Sequence, residues 1–298
     1  MTGFISVSAH SLVRSDADAV GLSRRALLWR MGVVTSCLGV AGVGTVFAQP
    51  QPKAAKPAAT ADELRVLIGK ATRLSVLSDR VTRCQVQRSL NVLVSRAERQ
   101  LEDTRREVLK VLDELAAAGL PDVAQRHLAP AKEAYEGFLK KSNALDVSKP
   151  DSTAEFADVA DVVGDRVDAL VAALVQASGR TTSQVLATTA DLQRLTQHAA
   201  VHFLLASAGI QPDKQWKEVS QARTDFGAGL RTLVASSVRS DAIESQIKLL
   251  EPQWLLMSTA LTHPGRDLRT LENICTTSER LLEVTTTLYG LYDGALKR

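Results

Sequence analysis

This chain has few of the residues from which chemistry is usually built. Aromatic residues make up 4% of its 298 positions, with five histidines and three cysteines. Past residue 48 only Cys84 and Cys275 remain, far apart in the chain. Count alone does not license a disulfide, and free, buried thiols are expected. No Gly-x-Ser-x-Gly turn is present to expose a nucleophile, and no pair of carboxylates stands out from the many acidic residues at helix-surface positions. The expectation is therefore of a protein that is not an enzyme and carries no cofactor. Charge of one sign is also missing. The formal net charge of +3 falls to about +1 without residues 1–48, which hold four arginines and two aspartates. That excludes the concentrated basic footprint needed for nucleic acid. Beyond residue 48 no apolar run reaches the ~18 residues of a spanning helix, and no stretch alternates convincingly like a strand.

What the chain does have is a copy of itself. Shifted by 118 residues, Leu77-Ser78-Asp79-Arg80 falls on Leu195-Thr196-Gln197-His198 without a gap. Leu74 falls on Leu192, Leu101 on Val219, Val108 on Phe226, Leu112 on Leu230 and Leu115 on Leu233. One extra residue later Leu128 meets Ile247, Tyr135 meets Trp254 and Phe138 meets Met257. A period well above 50 residues means two domain-sized units rather than a solenoid.

The N-terminus reads as an export signal. Ser23-Arg24-Arg25 precedes Leu27 and Leu28, an apolar segment spans residues 31–47, and Val46-Phe47-Ala48 offers small residues for cleavage after Ala48. The paired Arg24 and Arg25 resemble the twin-arginine signature, which carries folded proteins across the bacterial inner membrane. The alternatives are the general secretion route or an uncleaved anchor. Gly32, Gly39, Gly42 and Gly44 weaken the apolar core and favour cleavage. Cys37 lacks the leucine and small residues expected before a lipidated cysteine. The expected location is the periplasm, with residues 49–60, rich in Pro, Ala and Lys, as a disordered linker.

Helical periodicity fills the rest. Thr60 and Glu63 form a capping-box pattern ahead of Leu67, Ala71, Leu74, Ser78 and Val81, which recur at steps of four and three. A polar interval over residues 82–89 disturbs the stripe, which resumes at Leu90, Val94, Ala97 and Leu101. An unbroken helix over residues 62–118 would be ~85 Å long at 1.5 Å per residue. The second copy is broken at Gly209 to Asp213, which projects onto Asn91 to Ser95, so a turn is expected there too. Gly119 and Pro121 divide the next pair of helices, Pro130 is expected to restart or kink the third, and Ser152 with Glu155 reads as a second capping box. The fold class is all-α: two tandem up-down four-helix-bundle-like repeats, residues 61–179 and 180–298, after the N-terminal signal segment.

Ile68, Ala71, Arg73, Leu77, Ser78 and Arg80 carry a further reading. Their run resembles a motif in the N-terminal sensor domains of type IV pilus methyl-accepting chemotaxis transducers and nitrate sensors, the PilJ/NarX-like family. Leu192, Leu195, Thr196 and Gln197 resemble a weaker second copy. The resemblance implies periplasmic four-helix bundles that often form homodimers. In the nitrate sensors a small anion is held between paired first helices by an arginine of the motif. That arginine's place is taken by Ser75 here and by Gln193 in the second copy, which puts nitrate in doubt, whereas Arg73 and Arg80 match other motif arginines. Their counterparts are Asp191 and His198. A pseudo-dimer would then let Arg73 and Arg80 face Asp191 and His198 in an internal salt-bridged joint.

The candidate ligand-binding residues are thus Arg73, Ser78, Arg80, Gln197 and His198. His198 and His202 share a helix face at a zinc-compatible spacing, but without H-E-x-x-H or an obvious third ligand, packed or surface histidines are the blander reading. Arg96, Arg99, Arg105 and Arg106 are interleaved with Glu98, Glu102, Asp103 and Glu107, as on a solvated, ion-paired face. Trp216 and Trp254 are expected in the cores. Signalling relatives continue into a membrane span and a transmitter, which this sequence does not contain. The expectation is an exported, non-enzymatic sensory module that binds a small anion or metabolite and serves a membrane receptor, or dimerises through its first helices. The alternatives are a periplasmic structural or interaction scaffold, or a metal-binding protein using His198 and His202.

Overall fold

The computed structural model describes residues 59–179, 183–262, 265 and 267–297. The segment expected to be an export signal, with Arg24, Arg25 and Ala48, lies outside the described residues, as does most of the expected linker. Among the described residues there are eight helices and no strand: α1 (Ala61–Ser89), α2 (Val94–Ala117), α3 (Asp122–Ala144), α4 (Pro150–Ser178), α5 (Gln184–Ser207), α6 (Pro212–Val234), α7 (Asp241–Ala260) and α8 (Leu268–Ala295). None of them is long and apolar enough to cross a membrane.

Their ends follow local chemistry. Thr60 accepts a hydrogen bond from the Glu63 amide, and the Glu63 carboxylate accepts one from the Thr60 amide, completing the expected capping box. Ser240 and Asp267 cap α7 and α8 in the same way through the amides of Ile243 and Thr270. The expected second box does not form. Pro150 takes the first turn of α4 and starts it two residues before Ser152, leaving Lys149 as a cap without a side-chain bond. Nor does Pro130 restart α3, which continues through it.

Both copies break their first long helix with the same device. Asn91 and Leu93 take positive φ values of 56° and 46°, and their counterparts Gly209 and Gln211 take 80° and 44°. A left-handed residue, one ordinary residue and a second left-handed residue turn the chain back, which reverses α1 into α2 and α5 into α6.

Each copy is a four-helix bundle of one pattern. In the first, α1 packs on α2 and α4, and α4 on α3; in the second, α5 packs on α6 and α8, and α8 on α7. The first core gathers Leu74, Leu77, Leu112, Tyr135, Phe138, Phe156 and Leu170, with Phe138 stacked on Phe156 at 4.8 Å. The second gathers Leu192, Phe203, Phe226, Trp254 and Leu281, with Phe226 stacked on Trp254 at 3.9 Å. Trp216 is partly buried, edge-on to Phe203.

The copies meet along α1 and α5. Val86 and Val92, from the first copy, belong to the second copy's core. Helix α5 is accordingly buried nearly all round, from Val185 to Ser207.

Candidate functional site

The joint between α1 and α5 holds most of the buried polar chemistry. The interval that broke the apolar stripe of α1 places Thr82, Arg83, Gln85 and Gln87 at 0–2% exposure. Burying a guanidinium is costly unless each donor is met, and Arg83 is surrounded. Its Nε donates to Gln197 Oε1 at 2.8 Å and its Nη1 to Gln87 Oε1 at 3.1 Å. Nη2 donates to Gln100 Oε1 at 2.9 Å and to Glu279 Oε1 at 2.7 Å, and lies 3.4 Å from Cys84 Sγ. Arg80 donates to the same carboxylate through Nε and Nη2, at 3.1 and 2.6 Å. Burial alone would raise the Glu279 pKa, but Arg83 and Arg80 outweigh it and hold the carboxyl below its usual range. Gln197 completes the network by donating to the Ser278 carbonyl at 3.1 Å.

The other end of the joint is made of the equivalent positions and carries different residues. A shift of 118 residues takes Arg80 to His198, Cys84 to His202 and Gln100 to Glu218. It also takes Arg83 to Val201 and Asp79 to Gln197. In the last helix of each copy, where the buried positions again match at 118 (Phe156 with Ile274, Leu170 with Leu288), Glu279 corresponds to Asp161. His198 Nδ1 lies 3.6 Å from Asp79 Oδ2, and its Nε2 lies 3.4 Å from Glu218 Oε2. Burial works against charge on His198, yet the two carboxylates prevail and raise its pKa above the usual imidazole value. His202 contacts it ring to ring at 4.1 Å. Burial and then His198 push His202 in the opposite direction, so it stays neutral. Its Nδ1 pairs with Gln215 Oε1. A cavity of ≈ 20 Å³ adjoins, with Asp79, Asp158, Asp161, His202, Lys214 and Gln215 among its polar lining.

Three of the five candidate ligand residues, Arg80, Gln197 and His198, meet in this joint. The other two do not. Arg73 forms a two-pronged pair with Glu107 on α2, at 2.7 and 3.3 Å, inside its own copy. Ser78 is buried and donates to the Ser75 carbonyl. The joint is ion-paired, but not through the expected partners: Arg80 meets Glu279 rather than His198, His198 meets Asp79, and Asp191 lies exposed on α5. The reason is geometric. When α1 packs on α5, a side chain of α1 also reaches α8, the neighbour of α5, and Glu279 stands there.

Nothing in the sequence singles out Arg83, Glu279, Asp79 or Glu218 as members of a site. Arg83 and Asp79 lie in or beside the polar interval of α1, which signalled an unusual burial. Glu218 and Glu279 have no such signal, since acidic residues recur at comparable positions on every helix. Cys84 and Cys275 are free and buried, and burial raises both thiol pKa values, to about 11 for Cys275, which makes them inert. Compared with protein-family profiles, curated proteins and solved structures, the chain matches none.

Proposed function

We propose that this chain is an exported, non-catalytic binding protein of the sensory type, in which the two partners of a sensor-domain dimer are joined in one polypeptide. The observation that supports it most is the pairing of α1 with α5, the first helix of each copy, through a buried polar joint. In the domains it resembles, paired first helices hold the small ligand. Here the joint is unequal. One end is filled by the protein's own Arg83, and the other presents histidines, carboxylates and a small cavity. Ligand capture belongs to the second end, in the periplasm, with the loaded protein presented to a membrane receptor of the chemotaxis or pilus kind.

A thermal-shift screen of small anions, metabolites and metal ions tests this. At least one is expected to raise the melting temperature in a saturable way, and a substitution at His198 is expected to abolish the rise. A second reading, as an interaction scaffold, is favoured by Leu249, Leu255 and Leu256 of α7, which are 50%, 67% and 60% exposed. It predicts a stable complex with another protein and no stabilising small molecule.

A further inference from the structure

We infer that the second end of the joint is a site for a divalent transition-metal ion, zinc in the first place, held by His198, His202 and Glu218. The inference rests on the binding role just proposed and names its ligand as a cation rather than an anion. The ligand atoms of the three side chains already lie within 4.8 Å of one another. The 3.4 Å between His198 Nε2 and Glu218 Oε2 is close to the separation of two ligands placed at ~2.0–2.2 Å from a tetrahedral zinc.

The outer partners suit metal ligation too. Gln215 Oε1 can only accept, so His202 Nδ1 carries the proton and Nε2 keeps its lone pair. Asp79 stands at Nδ1 of His198 in the same relation, leaving Nε2 toward Glu218. A carboxylate or amide oxygen behind each ligating histidine is the usual second layer of a zinc site, fixing both tautomer and ring orientation. The cavity of ≈ 20 Å³ that adjoins the site at His202, the one of the three ligands that lines it, has room for about one water.

The symmetry of the fold supplies an independent reason for a cation. In the first end, the guanidinium of Arg83 sits beside Gln87, whose equivalent is the apolar Leu205, and among four further side chains, Gln197, Cys84, Gln100 and Glu279. The equivalents of those four are Asp79, His202, Glu218 and Asp161, every one a residue type that ligates metals. The equivalent of Arg83 itself is Val201, which brings no charge. Two amides and a thiol around a built-in cation have thus been exchanged for two carboxylates and an imidazole with the cation removed. A bound metal ion restores the charge that the arginine provides at the other end.

The test uses the full chain without a polyhistidine tag. Metal is stripped with a chelator, and Zn²⁺ is titrated by calorimetry while Co²⁺ is followed by its visible absorption. One equivalent of Zn²⁺ is expected to bind and raise the melting temperature, with Co²⁺ giving the intense bands of a tetrahedral site. Glu218→Gln, at a side chain 44% exposed and so tolerant of change, is expected to weaken Zn²⁺ at least 10-fold, as is His202→Gln. Asp79→Asn, behind His198, is expected to weaken it by ~10–100-fold. Zinc binding that survives Glu218→Gln and His202→Gln unchanged would overturn the assignment. Failure of Zn²⁺ and Co²⁺ to bind while an anion stabilises the protein through His198 would overturn the metal but keep the binding role. If nothing binds at all, both go.

Discussion

Arg83 and Glu279 lie 196 positions apart in the chain, and bury a 2.7 Å ion pair between the two copies. Arg83 is fully buried and the Glu279 side chain is 12% exposed. Removing one member of such a pair leaves the other charged in a poor solvent, at a cost of about 3–5 kcal/mol. Glu279→Ala should therefore lower the melting temperature by roughly 6–20 °C, at ~2–4 °C per kcal/mol for a chain of this size. Replacing both members together, as Arg83→Met with Glu279→Leu, should recover most of that loss. A double-mutant cycle by calorimetry measures the difference.

The same carboxylate gives the joint a pH dependence of defined sign. Its folded pKa lies below the unfolded value, so in the acid range the unfolded chain binds more protons than the folded one. The pair's stabilisation is then fully present above the unfolded carboxylate pKa, about 4.3, and is lost as pH falls through the lower folded value. Melting curves between pH 6 and 3 should show the gap between the parent protein and Glu279→Gln at its full width near pH 6. It should narrow steadily below about pH 4.3.

The joint also shows what was legible in advance and what was not. Leu67, Ala71 and Leu74 face the core as their spacing implies, because a helix stripe needs only local periodicity. The turn at Asn91 was readable only because the second copy spells it with Gly209 and Pro212, whereas the first copy uses residues that tolerate the left-handed region less openly. Arg80 crosses the first-helix interface to Glu279, whereas Arg73 turns into its own copy to Glu107. Which partner each meets depends on which neighbouring helix comes within reach, a tertiary fact with no local signature. The interval from Thr82 to Ser89 looked like a flaw in the stripe. There Arg83 reaches polar groups of α5, α8 and α2 across the joint, while Gln85 turns the other way and donates to Ser142 of α3.

The repeated turn carries strain that substitution can reveal. Gln211 is exposed and held at φ 44°, a region that costs an ordinary side chain about 1–2 kcal/mol. Gln211→Gly relieves that strain but adds freedom to the unfolded chain, worth roughly 0.5–1 kcal/mol. A gain of up to ~1 kcal/mol is expected in urea denaturation. Gly209→Val works in reverse, forcing a β-branched residue to φ 80°, and should cost at least ~1–2 kcal/mol. Equal stabilities for these two variants would show that the turn relaxes in solution.

Two tyrosines separate the worth of a buried hydroxyl from the worth of a buried ring. Tyr135 and Tyr292 are both fully buried. Tyr135 donates to the Leu74 carbonyl and ties α3 to α1, whereas the Tyr292 hydroxyl has no hydrogen-bond partner among the described residues. Each loses one oxygen and keeps its ring on changing to Phe, so packing is held nearly constant. Tyr135→Phe gives up a made hydrogen bond and should cost about 1 kcal/mol. Tyr292→Phe removes a group that was desolvated without compensation, a penalty of about 1–3 kcal/mol, and should leave stability unchanged or raise it. Urea midpoints for the pair should move in opposite directions, or only the first should move. A loss at Tyr292 equal to that at Tyr135 would mean that its hydroxyl holds a partner in solution, such as an ordered water.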